Sequence, residues 1–258
     1  MHGTKIALRN GLAGLALLAA CGGAAAKDLR CDVDSDYDLT VNDTSVIMTR
    51  ATGTPKAIVM RQGRMFIDDR WVTLTPADSK RIADYEKQVR ATLPLAQQIG
   101  RDAADLAFTA LGEVAAGLSQ HPADTRVKLD KARASIDAKL ASAVRANRFN
   151  GNELGNGIAS AVGEVLPTLI GDIVGGAISA AFSGDTARLE RMNNLDKEIE
   201  RRVEPRAKVL EKRAEVLCRR MEALDAIDDS LAYRTADGNR LDLLDAKVEV
   251  REDTVTRR

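Results

Sequence analysis

The sequence predicts an α+β protein that is mostly α, with a small N-terminal antiparallel β-meander followed by long helices in an elongated, coiled-coil-like bundle. Three observations predict it. Residues 37 to 74 are dense in β-branched side chains and broken by turn pairs. Leu189, Val203, Leu210, Leu217, Leu224 and Leu231 then recur every seven residues, with Asp196 the one break. Aromatic residues make up only 3% of the chain while alanine is abundant, which suits helices packed through small side chains rather than an aromatic-lined pocket.

Residues 1–20 read as a signal peptide. Lys5 and Arg9 precede an apolar run, Gly11 to Ala20, that is too short to span a bilayer. Leu18-Ala19-Ala20-Cys21 resembles a bacterial lipobox, in which the cysteine thiol takes a diacylglycerol and becomes the new N-terminus. Ala24-Ala25-Ala26 before Lys27 offers the alternative of ordinary cleavage and a soluble periplasmic product. Lipidation of Cys21 is the favoured expectation, since the small residues fall in register with it. Each buried acyl CH₂ contributes about 0.8 kcal/mol, so several chains anchor firmly. Gly22, where the lipoproteins this resembles carry Asp for inner-membrane retention, favours the outer membrane. Residues 21–36 read as anchor and linker.

The three cysteines are Cys21, Cys31 and Cys218. With Cys21 acylated in an oxidising compartment, Cys31 and Cys218 remain as a disulfide pair. Removing Lys5 and Arg9 from 38 basic side chains leaves 36 against 38 acidic ones, a balance that offers no field for nucleic acid.

Within the meander, strands are expected at 37–41, 45–48, 56–60, 64–67 and 70–74. The helical body, 75–230, opens at Thr75-Pro76-Ala77-Asp78, where Thr75 caps and Pro76 fits the first helical position. Ile82, Tyr85, Val89, Leu93 and Ala96 recur at helical spacing, and the pattern continues past Pro94, predicting a kink rather than an end. A second helix is expected over about 123–148, with Val127, Ile136, Leu140 and Val144 on its apolar face. In residues 153–184 charge nearly vanishes, and Gly155, Ala159, Gly163, Gly171, Gly175, Ser179 and Ser183 recur at fourfold spacing, with Pro167 in the same register. The expectation is a helical hairpin broken at Pro167. A long amphipathic helix follows to about Ser230, with Cys218 beside its apolar seam. The tail, 231–258, carries an Asp237-Gly238 hairpin signal and a loose end.

The order of these features resembles the YggN-like family of uncharacterised exported proteobacterial proteins. The residues that carry it are Cys31-Asp-Val-Asp, the Gly-turn strand pair Gln62-Gly63-Arg-Met-Phe-Ile67 and Asp68-Asp69-Arg-Trp-Val-Thr-Leu74, the capped helix Thr75 to Tyr85 with Leu93-Pro94 after it, and Val216-Leu217-Cys218. The resemblance covers most of the mature chain and is firmest over residues 31–118. It implies export and a helix-rich body with a β start, and brings no activity. The resemblance does not imply the lipobox or the Asp237-Gly238 tail.

Chemical motifs are sparse. Asp32, Asp34, Asp36, Asp38, Thr40 and Asp43 are spaced like a calcium loop, but Tyr37 stands where a glycine makes the sharp turn and Asp43 replaces the bidentate Glu. Alternate aspartates on a solvated strand edge are the expectation, with no metal and no cofactor. His2 leaves with the signal, so lone His121, in a turn before Pro122, carries no Ser-His-Asp or Cys-His device. The expected function is a cell-envelope lipoprotein of unknown role that binds or scaffolds without catalysis, its partners being the membrane through its lipid, envelope proteins or further copies. The alternatives are a membrane-active or self-associating protein using 153–184, and a carboxylate-based hydrolase with a pair such as Asp228-Asp229.

Overall fold

The structure is a computed structural model that describes residues 28–145, 148–183 and 186–251. Its elements are β1 (Asp28–Asp34), β2 (Asp38–Val41), β3 (Val46–Thr49), β4 (Ala57–Arg61), β5 (Arg64–Ile67), β6 (Arg70–Trp71), α1 (Pro76–Leu118), α2 (Pro122–Ala143), β7 (Val144–Arg145), β8 (Arg148–Asn150), α3 (Gly151–Ser183), α4 (Thr186–Asp229) and β9 (Asp245–Arg251). The chain is α+β and mostly α, as its sequence predicts. The described residues divide into two compact units, one of residues 28–90 with 215–251 and one within residues 91–214.

In the first unit, β2 to β6 form the expected antiparallel meander. Its pairing places Val41, Val46, Met48, Ile58, Met60, Met65 and Ile67 on one buried face. Phe66 and Trp71 stand on the other, edge to face at 5.4 Å. Gln62 and Gly63 both take positive φ, the geometry of a two-residue hairpin turn. Gly63 is required twice over, because a Cβ there would also lie 2.7 Å from the Ser79 carbonyl oxygen. The Glu86 carboxylate on α1 accepts both backbone N–H groups of this turn, from Gln62 at 3.1 Å and Gly63 at 2.9 Å. Thr75 caps α1 by accepting the Asp78 N–H at 3.0 Å, and Ile82, Tyr85 and Val89 are buried as their spacing predicts.

Residues 28–34, expected as part of a linker, are instead strand β1, which pairs antiparallel along its whole length with β9. The reason is long-range: alternate aspartates read as a solvated edge until a strand from the other end of the chain meets them. The Asp237-Gly238 signal does form a turn, with Gly238 at φ +78° and a bridge between Arg234 and Arg240. The tail beyond residue 251 lies outside the described residues.

β1 and β9 make a two-stranded ribbon, so one edge of β9 has no strand beside it. Three carboxylates on successive turns of α4 serve that side. Glu222 accepts the Val248 N–H at 3.0 Å, Asp225 the Ala246 N–H at 3.1 Å, and Asp228 Oδ2 the N–H groups of Leu243 and Leu244 at 2.5 and 3.2 Å. Cys218 sits one turn before Glu222 on the same face. Its sulfur lies at disulfide distance from Cys31, whose strand partner is Val248.

In the second unit α1 runs on through Pro94, and α2 ends earlier than expected, at Ala143, where the short hairpin β7–β8 begins. The expected apolar face of α2 is corrected in part. Ile136 and Leu140 are buried, but Val127 is 53% exposed, and the buried row is Thr125, Leu129, Ala132, Ile136, Leu140 and Ala143. Val127 lies about 200° around the helix from Leu129, so both cannot face the core.

The largest correction concerns 153–184. There is no hairpin: α3 is one helix of 33 residues that continues through Pro167. Proline costs this helix one N–H, the donor to the Gly163 carbonyl. Both Gly163 and Pro167 are exposed, so the freed carbonyl belongs to a residue open to solvent, and glycine leaves room for the ring.

Asp228 generates a pH dependence. Burial, opposed by the two backbone N–H groups and reinforced by Asp242 and Asp225, raises its pKa to about 7, and its Oδ1 is buried with no hydrogen-bond partner. The folded chain therefore holds a proton between about pH 4 and pH 7 that the unfolded chain has released, so stability is highest below that window and falls as pH rises through it, by at most about 4 kcal/mol. Urea midpoints measured across pH 4 to 8 are expected to show this slope. Asp228→Asn, which mimics the protonated acid, is expected to remove most of it.

Candidate functional site

The described features that depart most from ordinary packing lie on α3. Its buried side carries Leu154, Ala161, Leu169 and Ile173, packed against Phe108, Leu111 and Ala115 of α1 and Leu129, Ile136 and Leu140 of α2. Asp172 is on the same side. It accepts hydrogen bonds from the hydroxyls of Ser119 and Thr125, and His121 Nδ1 lies 3.4 Å away. These groups stand at the start of α2, where a carboxylate also meets the positive end of the helix. The Ser119 hydrogen bond leads the causes that depress the Asp172 pKa to about 2, followed by that of Thr125.

The residue types Ser119, His121 and Asp172 are those of a hydrolytic triad, but the connectivity is different. Ser119 is buried and gives its proton to the carboxylate rather than to the imidazole, while His121 is exposed. The geometry is that of a helix lock. Gly176 sets its closeness: a Cβ there would lie 1.7 Å from the Leu118 carbonyl oxygen.

The opposite side of α3 is open. Phe182 is 89% exposed, and Ile170, Val174 and Ile178 are each about half exposed. Ala159, Gly163, Pro167 and Gly171 are exposed among them. At about 100° per residue these eight positions fall within an arc of about 140°. From Ala159 to Phe182 the one charged residue whose helical position falls in this arc is Glu164, at its rim on the angle of Phe182. Asp172 is turned to the buried side. Scattered exposed hydrophobics need no explanation, but a contiguous helical stripe of them marks a contact surface.

The same unit holds a groove of about 1030 Å³ lined by α1, α2 and α4. Two of the carboxylates lining it are engaged with guanidiniums: Asp105 pairs with Arg133 and Arg206, and Glu113 with Arg202 at 2.9 Å.

Of the residues singled out in sequence, Cys31 and Cys218 are brought together, with Cα atoms 5.9 Å apart, and Cys218 is buried. Cys21 and its lipobox lie outside the described residues. The calcium-like stretch is divided between β1 and β2. There Asp36 pairs with Arg50, and Ser35 donates to the Leu243 carbonyl oxygen. Among the described residues no group of His, Cys, Asp or Glu is arranged to hold a metal ion. The Asp228-Asp229 pair separates, Asp228 facing the backbone of Leu243 and Leu244 while Asp229 is exposed beside Arg240. Sequence reasoning missed the Asp172 lock. A lone acid in an apolar helix, with Ser, His and Thr clustered at a turn upstream, was the available signal.

Gly176→Ala is expected to destabilise the protein by at least about 3 kcal/mol in urea unfolding, since backbone rather than a flexible side chain must move. Gly155→Ala, where nothing lies within 4 Å, is the matched control. It is expected to be neutral or to stabilise by up to about 1 kcal/mol.

No curated protein and no solved structure matches this chain. A family model does, over residues 31–244, which takes in both cysteines of the pair, the meander, all of the described helices and the three α4 carboxylates. The chain belongs to the DUF2884 family, whose members are described as proteins of unknown function.

Proposed function

We propose that the protein is a cell-envelope lipoprotein, tethered to the outer membrane through acylated Cys21 and braced by a Cys31–Cys218 disulfide, that works by binding rather than catalysis. The observation that carries the binding reading is the apolar stripe of exposed residues on α3, Ile170, Val174, Ile178 and Phe182 with Ala159, Gly163, Pro167 and Gly171 among them. A disulfide between residues 187 positions apart supports the compartment, because such bridges persist where the surroundings are oxidising. It closes a loop long enough to stabilise by roughly 4 to 5 kcal/mol at most. Carboxylates tied into ion pairs and backbone contacts favour structural roles over a hydrolytic pair.

A second reading has one observation in its favour. The same arc suits the surface of a bilayer, where the apolar face of a helix lies among the headgroups. No helix among the described residues is long and apolar enough to cross a membrane, so this reading concerns surface contact.

Intact-mass measurement of the protein recovered from membranes tests the proposal. A triacylated start at Cys21, with alkylation of the remaining thiols only after reduction, is the expected result. Cys21→Ser is expected to move the chain into the soluble fraction. A mass beginning at Lys27 with both thiols free overturns it.

A further inference from the structure

The exposed arc of α3 is sorted by size along its length. Its first half offers Ala159, Gly163 and Pro167, and its second half offers Val174, Ile178 and Phe182. At the middle stand Ile170, large, and Gly171, small. We propose that α3 pairs with the α3 of a second copy of this chain, antiparallel, around a two-fold axis passing between Ile170 and Gly171. This rests on the reading of the arc as a binding surface.

The register follows from the positions. With the axis there, Val174 of one copy faces Pro167 of the other, Ile178 faces Gly163, and Phe182 faces Ala159. Ile170 faces Gly171 across the axis itself. Each contact occurs twice, as a two-fold interface requires. Every large side chain meets a small one, and small residues let helix backbones approach. The centre of the arc lies about halfway round the helix from the buried side, so an approaching copy meets it without disturbing the core.

The alternatives are less well matched. Parallel pairing sets large against large at one end and leaves a void between small residues at the other. A lipid surface has no reason to sort residues by size. Charge does not oppose it, because the one charged position in the arc, Glu164 at its rim, falls opposite Ala177 of the other copy and well away from the second Glu164. Phe182 alone offers most of the area of an aromatic side chain, and the arc as a whole offers roughly 500 Å² per copy. That is the low end for a specific interface, so the pairing is weak in dilute solution. A shared membrane raises the local concentration, which is how the lipid tether of the preceding section strengthens it.

Single-cysteine variants of the full-length chain in isolated envelopes test the proposal, the native sulfurs being occupied by lipid and by the disulfide. Ile170→Cys is expected to give a homodimer band on mild oxidation. Val162→Cys, exposed but outside the arc, is expected to give none. Gly163→Cys and Ile178→Cys are expected to cross-link to each other when co-expressed, and not each to itself. Adding Ile178→Asp with Phe182→Asp is expected to abolish the Ile170→Cys band while leaving the melting temperature unchanged, since both side chains are exposed.

Self-cross-linking of Ile178→Cys without the mixed product overturns the antiparallel register. Cross-links only to other proteins overturn the second copy while leaving the binding reading in place. Arc cysteines that resist both cross-linking and a water-soluble maleimide put the helix in lipid and overturn the pairing. If the chain proves unacylated, the same cysteines are placed in Cys21→Ser protein at high concentration. There the mixed Gly163–Ile178 product still supports the pairing and its absence still overturns it, whatever has become of the anchor.

Discussion

The first unit depends on carboxylates of α4 satisfying backbone that no strand can reach. A two-stranded ribbon is marginal on its own, and an open edge of N–H groups invites the wrong partner. Glu222, Asp225 and Asp228, spaced three apart, project along one side of α4, the first two meeting alternate N–H groups of β9 and the third those of Leu243 and Leu244 just before it. Cys218, four residues before Glu222, continues the row and meets Cys31 across the ribbon. One helical face thus joins the start and the end of the described chain. The cost is concentrated at Asp228, whose second oxygen is buried without a partner. A carboxylate placed this way acts as a fastening with a proton of its own, held there by burial and by its neighbours Asp242 and Asp225.

A similar device recurs in the second unit with the opposite electrostatic outcome. Asp172 also takes its hydrogen bonds at a chain reversal, but from hydroxyls at the start of a helix, which favour its charge. Burial outweighs two backbone amides and raises one pKa, while hydroxyl donors outweigh burial and lower the other. In each case a polar side chain fixes where an element begins or ends, while apolar burial supplies the bulk of the stability. Because Asp172 and Gly176 hold one side of α3 against the α1–α2 corner, the other side is presented as a rigid surface. A contact surface built on a locked helix loses little freedom on binding.

The legibility of the fold follows the range of the forces involved. The meander was legible because Gln62-Gly63 and its β-branched neighbours act over a few residues. The capped start of α1 was legible because Thr75 and Pro76 act within one turn. The heptad row of α4 showed that Cys218 would face inward. The strand character of residues 28–34 was hidden, because an edge of alternating aspartates becomes a strand only when β9 lies beside it. The break expected at Pro167 did not occur, because a proline's effect on a helix depends on whether the freed carbonyl meets solvent. At the candidate site the small-residue spacing of 153–184 was plain. Which side faced solvent was not, because that spacing winds around the helix and only packing chooses a side.

By itself the sequence determined the segment types, the cysteine arithmetic and the absence of a recognisable catalytic pattern, since all three rest on composition and near-neighbour spacing. Tertiary structure alone decided that β1 and β9 join the two ends of the described chain, that Asp172 turns inward, and that α3 stays whole with its other side bare. Those outcomes come from contacts between residues far apart in the chain. Their free energy exists only once the chain has closed on itself, so no local pattern encodes them.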